Sequence, residues 1–538
     1  MKIIADLHLH SKYSRAVSPR MVVPEISRVA GQKGIDLVGT GDWTHPLWLR
    51  ELEEGLEEAE EGIFKVQSSK FKVQNGEGEG EGSEAPPREG YQPEASSRRL
   101  CPAGGGGARF ILSTEISSIY SQGGKGRRIH NLILAPSFAT VRKINEALIK
   151  RGANLISDGR PIVGLSSRDL FSLVMETDEN CLVICAHIWT PWFSLYGSKS
   201  GFDSIDECFG EYGKRICAVE TGLSSDPAMN WQIKELENRS IVSFGDAHSP
   251  EKIGREATVF EEVQSSKFKV QSDSVKPETI TYNDIVAAIK QEENSKLKIA
   301  YTIEFYPEEG MYHYTGHRNC KVVQSPEETK KLGTICPVCK GELTVGVMHR
   351  VEELSSKLPG LPTSSRLGRG RVAKAEPRAG KAQSSPPKLA SRLSSSELRL
   401  EERFSAGPPL AENIKIETDE KGVKWISTEN RLGFVRIVPL LEIIAEALET
   451  TETSQKAISE YNNLTKAFGS EFGVLLEAPV EELMFAASGR IAEGIKRMRA
   501  GDIVINPGFD GQYGVVKIWP EGKDEIKETD EQAQMALF

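Results

Sequence analysis

The sequence predicts an α/β protein, a sheet of mostly parallel strands that stays open or closes into a barrel, followed by two smaller pieces. Three observations carry that prediction. Over the first 300 residues, short β-branched and apolar runs alternate with helical stretches, the pattern of strand–helix units laid on a parallel sheet. A short Cys/His-containing stretch comes next, and segments of biased composition mark where one piece ends and another begins. The runs, in order, are KIIAD, IDLVGTG, RFILST, HNLILAP, CLVICA, CAVETG and SIVSFG.

Each run has a polar, metal-competent residue at or beside it. Asp6, His8 and His10 follow the first, Asp42 and His45 the second, and Glu115 the third. His130 opens the fourth, His187 follows the fifth, Glu220 lies in the sixth, and Asp246 and His248 follow the seventh. A lone histidine beside a strand is ordinarily a hydrogen-bonded polar group and nothing more. Here six of the nine histidines fall at strand borders together with several carboxylates, and strand C-termini in a barrel converge on one rim. His130 is the awkward member, because it begins its run. His8 and His10 alternate along an extended segment, so their side chains face the same way. Imidazoles and carboxylates without thiolates suit zinc, manganese or iron with open positions. A bridging carboxylate such as Glu115 can hold two ions about 3.5–4 Å apart, a spacing suited to in-line displacement at phosphorus. Phosphoester hydrolysis is the reaction class this ligand set favours, with amide hydrolysis second.

Composition divides the rest of the 538-residue chain. The stretch 66–103, with its Gly/Glu alternation and paired prolines, buries too little to offset its ordering entropy. The stretch 263–276 opens with VQSSKFKVQ, the same nonamer found at 66–74. Both read as insertions into surface loops of a domain spanning 1–300. Within 301–354, His317-x2-Cys320 and Cys336-x2-Cys339 are separated by fifteen residues and predict one structural zinc, with His313 in reserve. Residues 355–424 read as a basic linker: from 355 to 400, ten Lys/Arg face two Asp/Glu, a bias that adds non-specific affinity for phosphate backbones. Residues 425–520 read as a helical and hairpin domain in which Arg490, Lys496, Arg497 and Arg499 offer phosphate contacts. An acidic tail closes the chain over 521–538. The net charge of −10 hides this local asymmetry and leaves DNA binding open. No apolar run approaches the roughly 18 residues of a membrane span, and MKIIADLHLH lacks the apolar stretch of a signal peptide. The expectation is a cytoplasmic monomer, with no membrane partner.

DLHLH, GTGDWTH, STEIS, the histidine of RRIHNLIL, CAHIWTPW, AVETG and GDAHSP resemble the successive motifs of the PHP (polymerase and histidinol phosphatase) metallo-phosphoesterases. The longer stretches DLVGTGDWTHPLW, ARFILSTEIS, HIWTPWFSLYGSKSGFDS, ETGLSSDPAMNW and DAHSPEKIGREATVF resemble endonuclease Q, the PHP family that nicks DNA on the 5′ side of deaminated bases. The resemblance implies a distorted seven-stranded β/α (PHP) barrel, a Cys3His zinc module (His317, Cys320, Cys336, Cys339) and a C-terminal α+β domain. It implies catalysis by His8, His10, Glu115 and Asp246 with two or three divalent ions (Zn2+, Mn2+ or Mg2+). His8, His10, Glu115 and Asp246 would hold one ion, Glu115, His130 and His187 a second, and His248 with Asp42 or His45 a third. Two places depart from the family pattern: Arg15/Ala16 and Trp43 stand where three-metal relatives carry histidines, and Phe244-Gly245 precedes Asp246 where an Asn-Ser pair is usual.

A metal site inside a barrel reaches a phosphate beside a damaged base only if the nucleotide is extruded and held between aromatic and polar groups. Trp189, Trp192, Tyr196, Ser224 and Ser225 are the candidates for that task, and Arg497 for a backbone contact. The final Gln534-Met535-Ala536-Leu537-Phe538 resembles the peptide by which bacterial proteins bind the replication sliding clamp. The function expected is therefore a repair endonuclease acting 5′ to uracil, hypoxanthine or xanthine, and on abasic sites, with damaged DNA and the clamp as partners. The alternatives are a PHP phosphatase acting on a small monoester, or a non-catalytic DNA- or clamp-binding relative.

Overall fold

The computed structural model describes residues 1–67, 107–263, 279–356 and 414–520. Nearly all of both nonamer copies, most of the expected linker, and the tail carrying Gln534, Met535, Leu537 and Phe538 lie outside the described residues. The seven apolar runs are seven strands: β1 (Lys2–Asp6), β2 (Leu37–Gly39), β3 (Arg109–Gln122), β4 (Lys125–Ala135), β5 (Leu182–Cys185), β6 (Ala218–Glu220) and β7 (Ser240–Val242). Five more follow on the same path: β8 (Ala257–Glu262), β9 (Leu297–Glu304), β10 (Ile414–Thr418), β11 (Lys424–Thr428) and β12 (Arg431–Arg436). Among the described residues they belong to one 15-stranded sheet in the order β7-β6-β5-β4-β3-β2-β1-β8-β9-β12-β11-β10, with three short strands off that path.

β1, β2 and β3 run parallel, as do β5, β6 and β7. β4 is antiparallel to both its neighbours, β3 and β5. That reversal accounts for His130. Residues early in β4 lie level with the ends of the parallel strands, and His130 pairs with Ser117 on β3. Beyond β1 and β7, a parallel bridge between Leu9 and Ala247 brings the two ends of the seven-strand run together. The central strands are buried on both faces, as expected where helices cover a parallel sheet. One set of side chains, including Ile3, Ala5, Leu37, Ile111, Leu132, Ile184 and Val242, packs with Phe260 and the helix Tyr282–Ile289. The alternate set, including Ile4, Val38, Phe110, Leu112, Ile133 and Val183, packs against the outer helices. Those helices carry the terminal signals of their sequence. Val23–Lys33 stops on Gly34 in the left-handed region at φ 94°, where glycine is favoured. Phe138–Lys150 and Ser167–Thr177 start on Ser137 and Ser166, whose hydroxyls accept the N–H of Thr140 and Asp169.

The composition-based boundaries do not coincide with structural breaks. β9 crosses 300/301 and pairs with both β8 and β12, so the sheet runs from the first domain into the third. β10 lies inside the expected linker 355–424. Its IKIET sequence is mostly exposed at the sheet's edge, and a charged edge strand has the composition of a linker. The Cys/His module is a hairpin of Thr315–His317 and Val322–Gln324 tied to the C-terminal hairpin Val504–Asn506/Val515–Lys517 by Tyr314 N–H to Gly508 O and Gly508 N–H to Glu308 O. Arg350, on the helix Val347–Ser355, donates to Tyr196 O and Phe202 O in the loop after β5. Among the described residues no helix is long and apolar enough to cross a membrane.

Candidate metal centre

Two three-residue groups face each other across Glu115. In one, His8, His10 and Asp246 place a ligand atom each within 4.8 Å of the others; in the second, Glu115, His130 and His187 do the same. His10 Nε2 lies 3.1 Å and His8 Nε2 3.8 Å from Asp246 Oδ1. Glu115 Oε1 is 2.5 Å from His130 Nδ1 and 2.9 Å from His187 Nε2, while its Oε2 lies 3.5 Å from His10 Nε2. One carboxylate thus turns an oxygen to each group. His8 Nε2, His10 Nε2 and Asp246 Oδ1 are buried without a hydrogen-bond partner; the short His10–Asp246 separation is not aligned as a hydrogen bond. Buried polar atoms are ordinarily satisfied, so three convergent orphans fit a divalent cation. An imidazole and carboxylate donor set without sulfur suits the same ions.

The other nitrogen of each histidine is held from behind. His8 Nδ1 meets Glu220 at 2.9 Å and 3.1 Å, and the same carboxylate accepts the His187 backbone N–H at 2.7 Å. His10 Nδ1 meets Asp42 Oδ1 at 3.0 Å. Such carboxylate–histidine pairs fix the ring and present the opposite nitrogen to a metal. Burial works against the charged form of His8, but Glu220, Asp246 and Glu115 outweigh it and push the pKa up to about 10. Burial likewise opposes the charge on His10, and Asp42 and Asp246 raise it to about 9. Burial wins at His130, pushing it down to about 4. Burial would raise the carboxyls of Glu115 and Asp246, yet His130 and Arg160 hold the first well below the usual range, and His248, His8 and His10 the second. Asp42, His187 and Asp246 all adopt positive φ, at 49°, 27° and 44°. Non-glycine residues sustain that strain where surrounding structure enforces it, commonly at functional sites.

Several expected ligands stand apart from these groups. Asp42 is fully occupied, accepting from Ser11 N–H, Ser11 Oγ and Ser14 Oγ at 2.6, 2.7 and 2.9 Å besides His10. His45 stacks on Tyr13 with ring centroids 4.4 Å apart and meets Ile156 O at 3.1 Å, so it joins neither group. His248 borders the first group instead, its ring 4.8 Å from that of His10 and its Nδ1 2.8 Å from Asp246 O and 3.6 Å from Asp246 Oδ1. Two residues complete the centre that the sequence left without a role. Glu220 was visible as a strand-border carboxylate. Arg160, whose Nη1 donates to Glu115 Oε2 at 3.2 Å, had no signal, since it sits in a loop between elements.

His317, Cys320, Cys336 and Cys339 bring their ligand atoms within 4.8 Å of one another, with His317 Nδ1 3.4 Å from Cys339 Sγ. The aromatic and polar candidates divide. Trp189 is 1% exposed and donates to Asn230 Oδ1, and Tyr196 is fully buried with its hydroxyl on Glu235. Both are core residues: Trp189 packs beside Asn230, and Tyr196 lies where Arg350 of the helix Val347–Ser355 ties down the loop after β5. Ser225 is buried too, donating to Thr221 O and accepting from Asn230, and Ser224 is 6% exposed. Trp192 is half-buried, edge-on to Tyr312 at 5.7 Å. Arg497 is spent on Ile518 O and Asp502, and Arg499 on four backbone carbonyls.

The family described as the MJ0043 C-terminal domain matches residues 439–502. An uncharacterized protein, MJ0043 of Methanocaldococcus jannaschii, is 27% identical over 364 residues, covering 67% of this chain and 35% of the relative; the chain thus spans about a third of that protein. The uncharacterized YqxK of Bacillus subtilis is 25% identical over 96% of this chain and 99% of its own length. Two solved structures share the fold from end to end. The lesion-specific endonuclease PfuEndoQ from Pyrococcus furiosus is 26% identical at TM-score 0.65, covering 98% of each chain. An endonuclease Q bound to a 27-mer duplex with an abasic lesion at its active site is 26% identical at TM-score 0.65, covering 98% of this chain and 99% of that one. Likeness in fold over nearly the whole length of both chains supports assigning this protein to the endonuclease Q family.

Proposed function

We propose that this protein is a DNA repair endonuclease that hydrolyses the phosphodiester 5′ to uracil, hypoxanthine or xanthine, and at abasic sites, leaving 3′-OH and 5′-phosphate ends. The observation that carries the reading is the pair of three-ligand groups turned toward the two oxygens of Glu115, in a chain of this family. Divalent ions bound there would supply hydroxide near neutral pH and neutralise charge at phosphorus. The protein's own part is preorganisation. Glu220 and Asp42 hold His8 and His10 by Nδ1, so each Nε2 faces inward. Glu115 stays ionised through His130 and Arg160, and Asp246 reaches the remaining corner. Ser194 Oγ lies 3.3 Å from His187 Nδ1 and orients that ring.

Trp192, the half-buried aromatic beyond β5, is the residue we assign to stacking on an extruded base. The Cys3His group would hold one structural zinc, and the tail from Gln534 to Phe538 would engage a bacterial-type clamp, raising the enzyme's effective concentration on DNA. The test is incision of duplexes bearing uracil, hypoxanthine, xanthine or an abasic site, with zinc or manganese supplied. Nicking beside the lesion by the native protein, and none by His8→Ala, is the expected result. Intact duplex in both cases would end this reading, and phosphate release from a small monoester would replace it.

A further inference from the structure

Arg160 belongs to neither ligand group, yet it stands between them. Its Nη1 donates to Glu115 Oε2 at 3.2 Å, the oxygen turned toward His10. Burial opposes its charge, but Glu115 and Asp246, one from each group, outweigh that and raise its pKa. The guanidinium is placed by its backbone. Gly159 donates its N–H to Tyr13 O at 3.0 Å and accepts from Thr44 Oγ1 at 3.0 Å. A side chain at Gly159 would stand 2.4 Å from Asp42 Oδ2, so only glycine lets this turn press against the carboxylate that holds His10. On the other side, Pro161 O accepts the Ser117 N–H at 3.0 Å, two residues beyond Glu115. The Arg160 side chain keeps 24% of its surface exposed. One of its five N–H donors is used on Glu115, and others remain reachable from solvent.

We propose that Arg160 binds a non-bridging oxygen of the phosphate group that enters this site and stabilises the charge gathering there. The proposal rests on the hydrolytic reading above. In that reaction the bond from hydroxide to phosphorus forms and the P–O3′ bond breaks. The 3′ oxygen leaves with a proton from solvent, and Arg160 donates hydrogen bonds throughout without giving up a proton. A planar guanidinium fits a phosphoryl group geometrically, as an ammonium does not, and a preorganised donor of this kind is typically worth about 10²–10³ in kcat.

The experiment uses the full-length, metal-loaded protein and inorganic phosphate as the probe. Phosphate is titrated calorimetrically into the native protein, Arg160→Gln and Arg160→Lys, with metal content and nicking kinetics measured on the same preparations. The expected result is unchanged metal content, phosphate affinity lower by about tenfold or more in R160Q, as for a lost hydrogen bond to a charged group, and a fall in kcat that R160K only partly restores. Equal phosphate affinity in R160Q and native protein overturns the proposal while leaving the nuclease reading intact. It is also overturned if R160Q loses metal and regains phosphate affinity when metal is saturating, since Arg160 would then serve only to position Glu115. Phosphate binding that depends on Arg160 in a protein that does not nick DNA supports this proposal and ends the nuclease reading.

Discussion

Replacing Glu220 with glutamine should weaken metal binding at a site that Glu220 does not itself contact. Its two oxygens serve both groups, one holding His8 Nδ1 at 2.9 Å and the other the His187 N–H at 2.7 Å. Glutamine keeps the shape but has a single acceptor oxygen. Satisfying one partner turns its NH2 toward the other, donor against donor. Loss of the charge has two opposed effects at His8. With the carboxylate in place His8 is held protonated up to about pH 10, so an ion must displace a proton, and E220Q eases that step. The same carboxylate also attracts the ion, and a double charge at a similar distance gains twice the electrostatic energy that a proton does. Net affinity therefore falls. Losing a carboxylate that supports a ligating histidine typically costs 10–100-fold, or about 1.4–2.7 kcal/mol at 1.36 kcal/mol per decade. The assay is competition with a chromogenic chelator at pH 8, with ions per chain counted by emission spectroscopy. An E220Q protein that retains its ions at native affinity, or binds them more tightly, would refute the reasoning.

Three further outcomes are expected. Glu304 lies buried beneath the sheet's junction, and burial pushes its pKa up to about 8; because the folded value exceeds the unfolded one, stability is complete below about pH 4.5 and is lost as pH rises through 8. Glu304→Gln should therefore melt with native protein at pH 4 and above it at pH 9, by an amount on the order of a few kcal/mol, and identical denaturant curves at both pH values would contradict this. Cys336→Ser should lower zinc content by one equivalent without disturbing the ions at His8 and His10, which emission spectroscopy reads directly; unchanged content would remove the Cys3His group from the zinc inventory. Trp189→Ala should cost about 3–5 kcal/mol of stability as a core truncation, whereas Trp192→Ala should leave stability within about 1 kcal/mol and weaken incision. A reversed pattern in thermal melts would undo the division of the two residues.

The strands were legible because each is a short run buried on both faces, and a continuous apolar run reads as such wherever helices cover a sheet. The residues His8, His10 and Asp246 were legible as a set because they follow strands that share a rim. His130 fits the same logic only once β4 is seen to run backwards, a reversal made at the two-glycine turn Gly123-Gly124, both at positive φ, between Gln122 and Lys125. Asp42 and His45 were harder for a different reason. Proximity to the rim depends on strand position, but ligation depends on which hydrogen bonds a side chain has already accepted, and Asp42 is filled by Ser11 and Ser14. The aromatic loop misleads similarly: Trp189 and Tyr196 look available in sequence, yet Trp189 is buried with its N–H on Asn230, and Arg350, 154 residues away, donates to Tyr196 O. Arg160 and the long-range partner of β9 depend wholly on tertiary contacts.

The junction of β9 with β12 has a consequence for how the molecule comes into being. Glu304 and Arg436 pair at that junction, and 132 residues separate them in the chain. At about 5–20 residues per second, ribosomal synthesis leaves the β9 edge without its neighbour for roughly 7–26 s. The strands that carry Asp6, Glu115 and Glu220 are thus made before β12 and cannot complete their sheet until it emerges. Nascent chains halted before residue 431 should present that bare edge to chaperones until β12 arrives.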